Sequence, residues 1–402
     1  MRFLTLLLFP FLLFANPLQE AIDKAPSGSK IELSEGKYYG NIIINKPLII
    51  DGLNAKAHII GDNKGSVVSI KSSNVILKNL SISGSGDSHE SIDAAILAED
   101  VSDIEIVNNN ISNSLFGINL QKVSNSKITD NFITSKPYDL GVRGDSIVLW
   151  YSHGNLIARN HLYKSRDLVA WYSGKNVFEA NHGELGRYSL HFMYATDNLI
   201  KDNLFEKNSV GVFFMYSQGI KAFNNTIKNS LGTFGLGLGL KDCSNFMIED
   251  NNIIYNARGV YLDQSPYQPD TLNTFRGNKI LYNSNAVQFQ GLREKSLFNE
   301  NIFKGNMELI LSDIPKEDTR YIEWRGNYWD AYEGFDKNGD GVGDIPYKHY
   351  VYADKLWLYN ANIKFFYGSV AMDLLNFLAK MAPFSEPELM AVDDEPLMGA
   401  KF

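Results

Sequence analysis

The chain has 402 residues, enough for two ordinary domains or one long solenoid. Its formal net charge of −8 lacks the basic footprint of a nucleic-acid binder, so no nucleic-acid partner is expected. The single cysteine, Cys243, excludes an intrachain disulfide and a thiolate-cluster metal site, leaving seven His and nine Met as borderline and soft metal ligands.

The first residues carry one positive charge at Arg2, an apolar run from Phe3 to Phe14 and a small residue at Ala15. This reads as a secretory signal peptide over residues 1–15, too short for a comfortable membrane span. Leu13 sits poorly three positions before the cut, so a retained anchor is the alternative. Residues 16–50 read as an N-terminal cap and a first strand, with helical spacing over Pro17–Ala25. A solenoid needs such a cap because its open end exposes unpaired strand edges.

Residues 51–330 carry the dominant pattern. The segments SIVLWYSHGNLIARN, DLVAWYSGKNVFEAN, SLHFMYATDNLIKDN and GVFFMYSQGIKAFNN nearly repeat one another and end at Asn160, Asn181, Asn203 and Asn225, with spacings of 21, 22 and 22 residues. Nine residues before each Asn stands a Tyr: Tyr151, Tyr172, Tyr194, Tyr216. The same turn Asn recurs at Asn109, Asn131, Asn251, Asn278, Asn301 and Asn327. A fixed period with a constant internal register marks stacked coils. Asn side chains at equivalent turns can stack as amide ladders, and Asn tolerates the left-handed conformation that turns need. The expected fold is therefore all-β, a right-handed single-stranded parallel β-helix of roughly a dozen coils, with a C-terminal helical segment and an extended tail.

The register separates inside from outside. Thirteen and eleven residues before the Asn, every coil is apolar, as at Leu168 and Ala170, Leu190 and Phe192, Val212 and Phe214. These positions point inward, so those twelve and ten residues before the Asn face outward. In the four central coils the outward residues are Val148 and Trp150, Val169 and Trp171, His191 and Met193, Phe213 and Met215. The expectation is an exposed apolar stripe. Thioethers and an imidazole form a soft set suited to Cu(I), making His191, Met193 and Met215 candidate copper ligands. The competing reading is a protein-docking surface with no metal, in which Trp150, Trp171 and Phe213 are interface residues. The Tyr column reads as a structural ladder at a corner. Arg143, Asp145, Arg166, Asp167 and Arg187 recur before the strands, as a network of ion pairs or as polyuronide-binding groups.

Residues 331–360 read as a capping loop. Within it, Asp336, Asn338, Asp340 and Asp344, with Gly341, resemble the first part of a calcium loop. The twelfth position is Tyr347 instead of the closing Glu, so a weak Ca²⁺ site and a self-bonded turn both stand. Residues 361–402 read as a helix near Ala361–Met381 followed by an acidic tail, extended and mobile unless a partner holds it. The helix has a wide apolar face including Phe365, Phe366, Leu374 and Leu378, candidate interface residues. Cys243 reads as buried and inert.

GDSIVLWYS, LVAWYS, LHFMYATDN, VGVFFMYS, GLGLKD and GVYLDQSP, in tandem, resemble the successive coil signatures of the NosD family, and NYWDAYEGFDKNGDGVGDIPY resembles its closing segment. The resemblance runs from about Asp51 to the tail. It implies a β-helix of the carbohydrate-binding and sugar-hydrolase (CASH) type in the periplasm. It further implies a non-enzymatic accessory role in copper-site maturation of nitrous oxide reductase, with an ABC transporter membrane subunit and a copper chaperone lipoprotein as partners. The rival class is a polysaccharide-binding or polysaccharide-modifying lyase or epimerase, which needs an acidic or Ca²⁺-bearing groove where this outer stripe is apolar.

Overall fold

A computed structural model describes residues 16–53, 56–312, 321–351, 360–366, 369–382 and 388–400. Residues 1–15, read as a signal peptide, lie outside these. Among the described residues the strands stack into sheets of 15, 13 and 12 strands, giving a parallel β-solenoid of about 13 turns. A coil contributes one strand to each sheet. Ile147–Trp150 joins the 12-stranded sheet, Leu156–Ala158 the 15-stranded and His161–Tyr163 the 13-stranded. Strands this short follow from the sequence: two to six residues with apolar side chains at the inward positions, then a polar corner.

The corners use left-handed residues. Tyr151, Arg159 and Lys164 have φ of 48°, 53° and 51°, and Tyr172, Ala180 and Leu185 repeat them one coil on. At the Asn corner the left-handed residue is the one before the Asn: Arg159, Ala180, Asp202 and Asn224. Of the two roles expected of the Asn, the left-handed backbone falls to the preceding residue and the stacked amide holds. Asn181 Nδ2 donates to Asn203 Oδ1 at 3.0 Å and to the Ile157 carbonyl at 2.8 Å, while its Oδ1 accepts from the backbone N–H of Asn160 at 3.0 Å. Every polar atom of a buried amide is thereby satisfied, which burial requires. The ladder runs unbroken from Asn109 to Asn327, and a second, at another corner, joins Asn155, Asn176 and Asn198.

The inward register holds. Leu149, Leu168, Leu190, Phe192, Val212, Phe214, Leu238 and Leu240 are all buried in one continuous core. Phe178, Phe192, Phe214 and Phe246 pack ring against ring down its axis at 5.1, 5.2 and 5.3 Å.

Both ends are closed. The helix Pro17–Lys24, capped by Asn16 accepting from Gln19 N–H at 3.1 Å, buries Leu18 and Ile22 over the first coil. Residues 16–50, read as a cap and one strand, hold this helix and then four short strands starting at Lys30, because their isoleucines already alternate inward and outward. At the other end the loop 331–360 contains the strand Tyr347–Val351. Part of the tail is extended, as expected, and is held by the chain itself: Glu388–Asp393 is a strand, antiparallel to Tyr347–Val351 and bridged to Trp324 of the 15-stranded sheet. Asp393 completes the Asn ladder. Its Oδ2 accepts from Asn327 Nδ2 and N–H at 2.9 Å each and from Trp329 Nε1 at 3.0 Å. The acidic composition suggested solvent, but this carboxylate is wanted by donors the last coil leaves open.

The expected helix divides into a 3-10 turn, Ala361–Phe366, and an α-helix, Val370–Met381, capped by Ser369. Met372 and Ala379 are buried, whereas Phe365 is 92% exposed and Phe366, Leu374, Phe377 and Leu378 are also exposed. Among the described residues no helix is long and apolar enough to cross a membrane.

Candidate functional site

Sequence register places one outward column on the 12-stranded sheet. Gln121, Trp150, Trp171, Met193, Met215 and Lys241 are successive partners across its strands. Adjacent coils are about 4.8 Å apart, so Met193 and Met215 present their thioethers from neighbouring strands. Trp150 and Trp171 are 38% and 41% exposed, and both Met are half-buried. The Tyr column stands beside them. Tyr151, Tyr172, Tyr194 and Tyr216 stack with centroids 4.9 Å apart at each step and planes within 14° of parallel. All four are left-handed, with φ from 48° to 52°. Stacking offsets that local strain.

The other outward column departs from expectation. Val148 and Val169 are buried, Phe213 is half-buried and His191 is only 8% exposed. These side chains do point away from the core, but other parts of the chain cover them. Val148 packs with Ala94, Leu115 and Phe116 in a cluster separate from the main core. The loops around residues 87–89 and 136–142 are strapped together above that region. Lys136 Nζ donates to Asp87 Oδ1 at 2.6 Å, and His89 Nε2 lies 3.1 Å from the Val142 carbonyl. Phe213 lies over Gly239, where a Cβ would meet its ring at 2.3 Å. The exposed apolar stripe is therefore one column wide.

His191 owes its place to an irregularity. Pairing runs Asp167 with Tyr188 and then Val169 with His191, so the second strand carries an extra residue. This brings the Tyr188 and His191 rings face to face, 4.8 Å apart and 28° from parallel. Arg187 covers the other side of Tyr188 at 4.8 Å and clasps Asp167 with two N–H groups. Arg166 clasps Asp145 in the same way, at 2.8 and 3.1 Å. Both carboxylates are buried. Burial pushes Asp145 above the usual carboxylate range, with Asp167 adding to it and Arg166 opposing. Burial would raise Asp167 too, but His191, Arg187 and the Tyr188 N–H hold it below that range. His191 Nδ1 stands 3.8 Å from Asp167, and neither ring nitrogen makes a hydrogen bond. A buried imidazole with two unpartnered nitrogens is costly unless something else uses them.

The ion-pair reading of this corner fits the geometry for four of its five residues. Arg143 stands apart, donating to the Tyr138 carbonyl at 2.7 Å. The free space beside Asp167, about 10 Å³, has room for nothing larger than a water. Asp336 accepts from the N–H groups of Gly339 and Gly341 at 2.6 and 2.9 Å, and Asp340 and Asp344 accept from Val342 and Lys337 N–H at 2.8 Å each. Asn338 Oδ1 accepts from Asp340 N–H at 3.1 Å. These four side chains form a self-bonded turn. Cys243 is buried and its thiol is pushed up to about 12 by burial, in keeping with an inert residue.

Sequence reasoning missed a group on the 13-stranded sheet. His161, His182 and Glu184 bring one ligand atom each within 4.8 Å of one another. The signal was present. Both His directly follow a ladder Asn, and Glu184 and Glu206 stand three residues after one, so the register alone stacks them on one face.

The comparisons with known proteins agree with this architecture. The family model described as "Periplasmic copper-binding protein (NosD)" matches residues 135–334, the coils that carry the Trp, Met and Tyr columns. A Pseudomonas aeruginosa protein named "Probable ABC transporter binding protein NosD" is 25% identical over 96% of this chain and 91% of its own length. A Stutzerimonas stutzeri protein of the same name is 29% identical over a shorter stretch, 31% of this chain and 29% of that one. Among solved structures, the A-module of the Azotobacter vinelandii mannuronan C-5 epimerase AlgE6 aligns with a TM-score of 0.59 at 14% identity, covering 78% of this chain and 93% of that one. The Streptococcus pneumoniae adhesin PfbA aligns at 0.55 and 15% identity, covering 73% and 88%. An epimerase and an adhesin sharing one solenoid show the fold alone.

Proposed function

We propose that this chain, which belongs to the NosD family, is a non-enzymatic periplasmic protein that takes up Cu(I) as cargo and passes it on toward nitrous oxide reductase. In this reading a copper chaperone lipoprotein supplies the ion and an ABC transporter's membrane subunit docks the solenoid. The carrying observation is the pairing of Met193 with Met215 on adjacent strands beside His191, whose ring nitrogens are both free of hydrogen bonds. Two thioethers and an imidazole make a soft donor set that favours Cu(I) over Cu(II). The family description as copper-binding and the relatives' names as transporter-binding proteins support the same reading.

The residues divide the work. Met193 and Met215, half-buried at the surface, meet the ion first. His191 lies beneath Tyr188 and joins only when that ring turns aside. Asp167, close to Nδ1, favours a proton there and leaves Nε2 as the ligand atom. Trp150 and Trp171 extend the surface on which a partner sits, and the exposed apolar side of the helix Val370–Met381 suits a second contact with the transporter. Three neutral donors with no thiolate give moderate affinity, which suits a carrier that must release.

The test is a pair of double variants. Met193→Leu with Met215→Leu keeps the shape and removes both sulfurs. The expected outcome is retained docking and reduced copper in nitrous oxide reductase. Trp150→Ala with Trp171→Ala is expected to weaken docking. If the Met pair leaves copper loading intact, the column is an interface and carries no metal.

A further inference from the structure

We propose that His161, His182 and Glu184 form a site for one borderline divalent cation, of the Zn²⁺ or Cu²⁺ class, on the outer face of the 13-stranded sheet. The site is separate from the Met column and does not rest on the Cu(I) reading.

The solenoid itself builds the site. His161 and His182 are direct partners across neighbouring strands, and their rings stack 4.6 Å apart and 2° from parallel. Both therefore aim Nε2 the same way, toward the column two residues further on. There Glu184 Oε1 lies 3.0 Å from His161 Nε2 and 4.0 Å from His182 Nε2, and Glu206 Oε1 lies 3.1 Å from His182 Nε2. A tetrahedral ion with bonds of about 2.0–2.1 Å needs ligand atoms about 3.3–3.5 Å apart. The observed separations bracket that value, so small rotations of four side chains suffice.

Charge distinguishes Glu184 from its neighbour. Glu206 has two lysines, Lys228 at 3.4 Å and Lys207 at 3.9 Å. Glu184 has, among the described residues, no lysine or arginine within 4 Å; its only ion-pair contacts are the two imidazoles. A carboxylate 16% exposed, whose ion-pair contacts are imidazoles alone, has no lysine or arginine beside it as a fixed positive charge. A divalent ion supplies one. The imidazoles are 39% and 32% exposed, which leaves a path from solvent. Phe132 walls the His161 side, edge-on at 5.2 Å. Nitrogen and oxygen donors without sulfur select against Cu(I) and for borderline divalent ions, with Glu206 or water in the fourth position.

The experiment uses the exported chain stripped of metal, titrated with Co²⁺ followed by absorption and with Zn²⁺ followed by calorimetry. One equivalent is expected to bind, with the visible bands of tetrahedral Co²⁺, displaced by Zn²⁺. Zn²⁺ is expected to raise the thermal midpoint by mass action. His161→Gln with His182→Gln is expected to abolish that equivalent. Glu184→Gln, which keeps the rings, is expected to weaken it at least about tenfold. Met193→Leu with Met215→Leu is expected to leave it unchanged. A wild-type chain that binds no Co²⁺ or Zn²⁺, or a binding equivalent that survives in both His161→Gln/His182→Gln and Glu184→Gln, overturns the proposal.

Discussion

The same coils display two outer faces, and the two have opposite character. On the 12-stranded sheet, Asp145 and Asp167 are buried beneath partly exposed arginines, Val148 and Val169 are covered, and the metal-donor atoms nearest solvent are sulfur. On the 13-stranded sheet, His161, His182 and the lysines of Glu206 stand in partial contact with water. Strand spacing is identical, so the coil does not set the chemistry. What differs is cover. Segments from earlier coils and the extra residue before His191 dry one face, whereas the imidazoles of the other stay 39% and 32% exposed. A dry face makes each charge costly and each ion pair strong; a wet one makes both modest.

The core beneath both faces sets the scale. Phe192→Ala or Phe214→Ala is expected to cost about 3–5 kcal/mol in denaturant unfolding. Both faces should lose stability together, since the residues lie in one continuous core. Unchanged stability would show that these rings are not packed inside.

The contrast between faces is sharpest at the carboxylates. Asp167→Ala removes a buried carboxylate from a partly exposed Arg187 and is expected to cost about 1.5–3 kcal/mol. Glu184→Ala, on the wet face, is expected to cost about 1 kcal/mol or less. Equal costs would end the distinction between dry and wet. Gly239→Ala probes the covered face alone: a Cβ there must displace the Phe213 ring, an overpacking expected to cost about 1–3 kcal/mol. A neutral result would mean Phe213 is free to leave its seat.

The smallest effect is in pH. Asp167 is depressed in the folded state, so its contribution is fully present above the ordinary carboxylate value and is lost as pH falls through the folded one. Asp145 is raised, so its contribution is present at acid pH and lost as pH rises through the ordinary carboxylate value toward its folded one. Asp167→Asn should therefore flatten the fall in stability on acidification, and Asp145→Asn should steepen it. Changes of slope in the same direction for both would show that the two carboxylates do not titrate as neighbours in unlike settings. Glu206→Gln, on the wet face, should flatten it slightly, because Lys228 and His182 outweigh burial there.

What was legible in the sequence was whatever repeats. The Asn corners, the inward pairs such as Leu190 and Phe192, and the Tyr column all recur at one period, so each coil testifies for the next. What was hidden depends on residues outside the period. Val148 reads as exposed until residues near Phe116 and Ile92 are known to pack on it. The insertion before His191 is a single residue, invisible to a count that starts from the next Asn. Asp393 reaches Asn327 across 66 positions, and no local pattern announces such a return. The tail's role also changes how the apolar helix is to be probed. Cutting at Ala361 would remove the Asp393 strand as well, so substitutions such as Phe377→Ser and Leu378→Ser isolate the helix more cleanly.

The ladder has a direction. Every amide from Asn109 to Asn301 gives one of its two protons to the Asn of the coil that follows, so the column resembles a queue in which each member leans on the next. A queue of this kind cannot end on another amide without leaving a hand outstretched. Asp393 ends it because a carboxylate only receives. A chain with Asp393→Ala would leave the Asn327 N–H, the Asn327 amide and the Trp329 Nε1–H without their acceptor, buried at the end of the core. One side chain thus closes the amide column, and a lowered unfolding midpoint in that variant would display the cost of leaving its donors open.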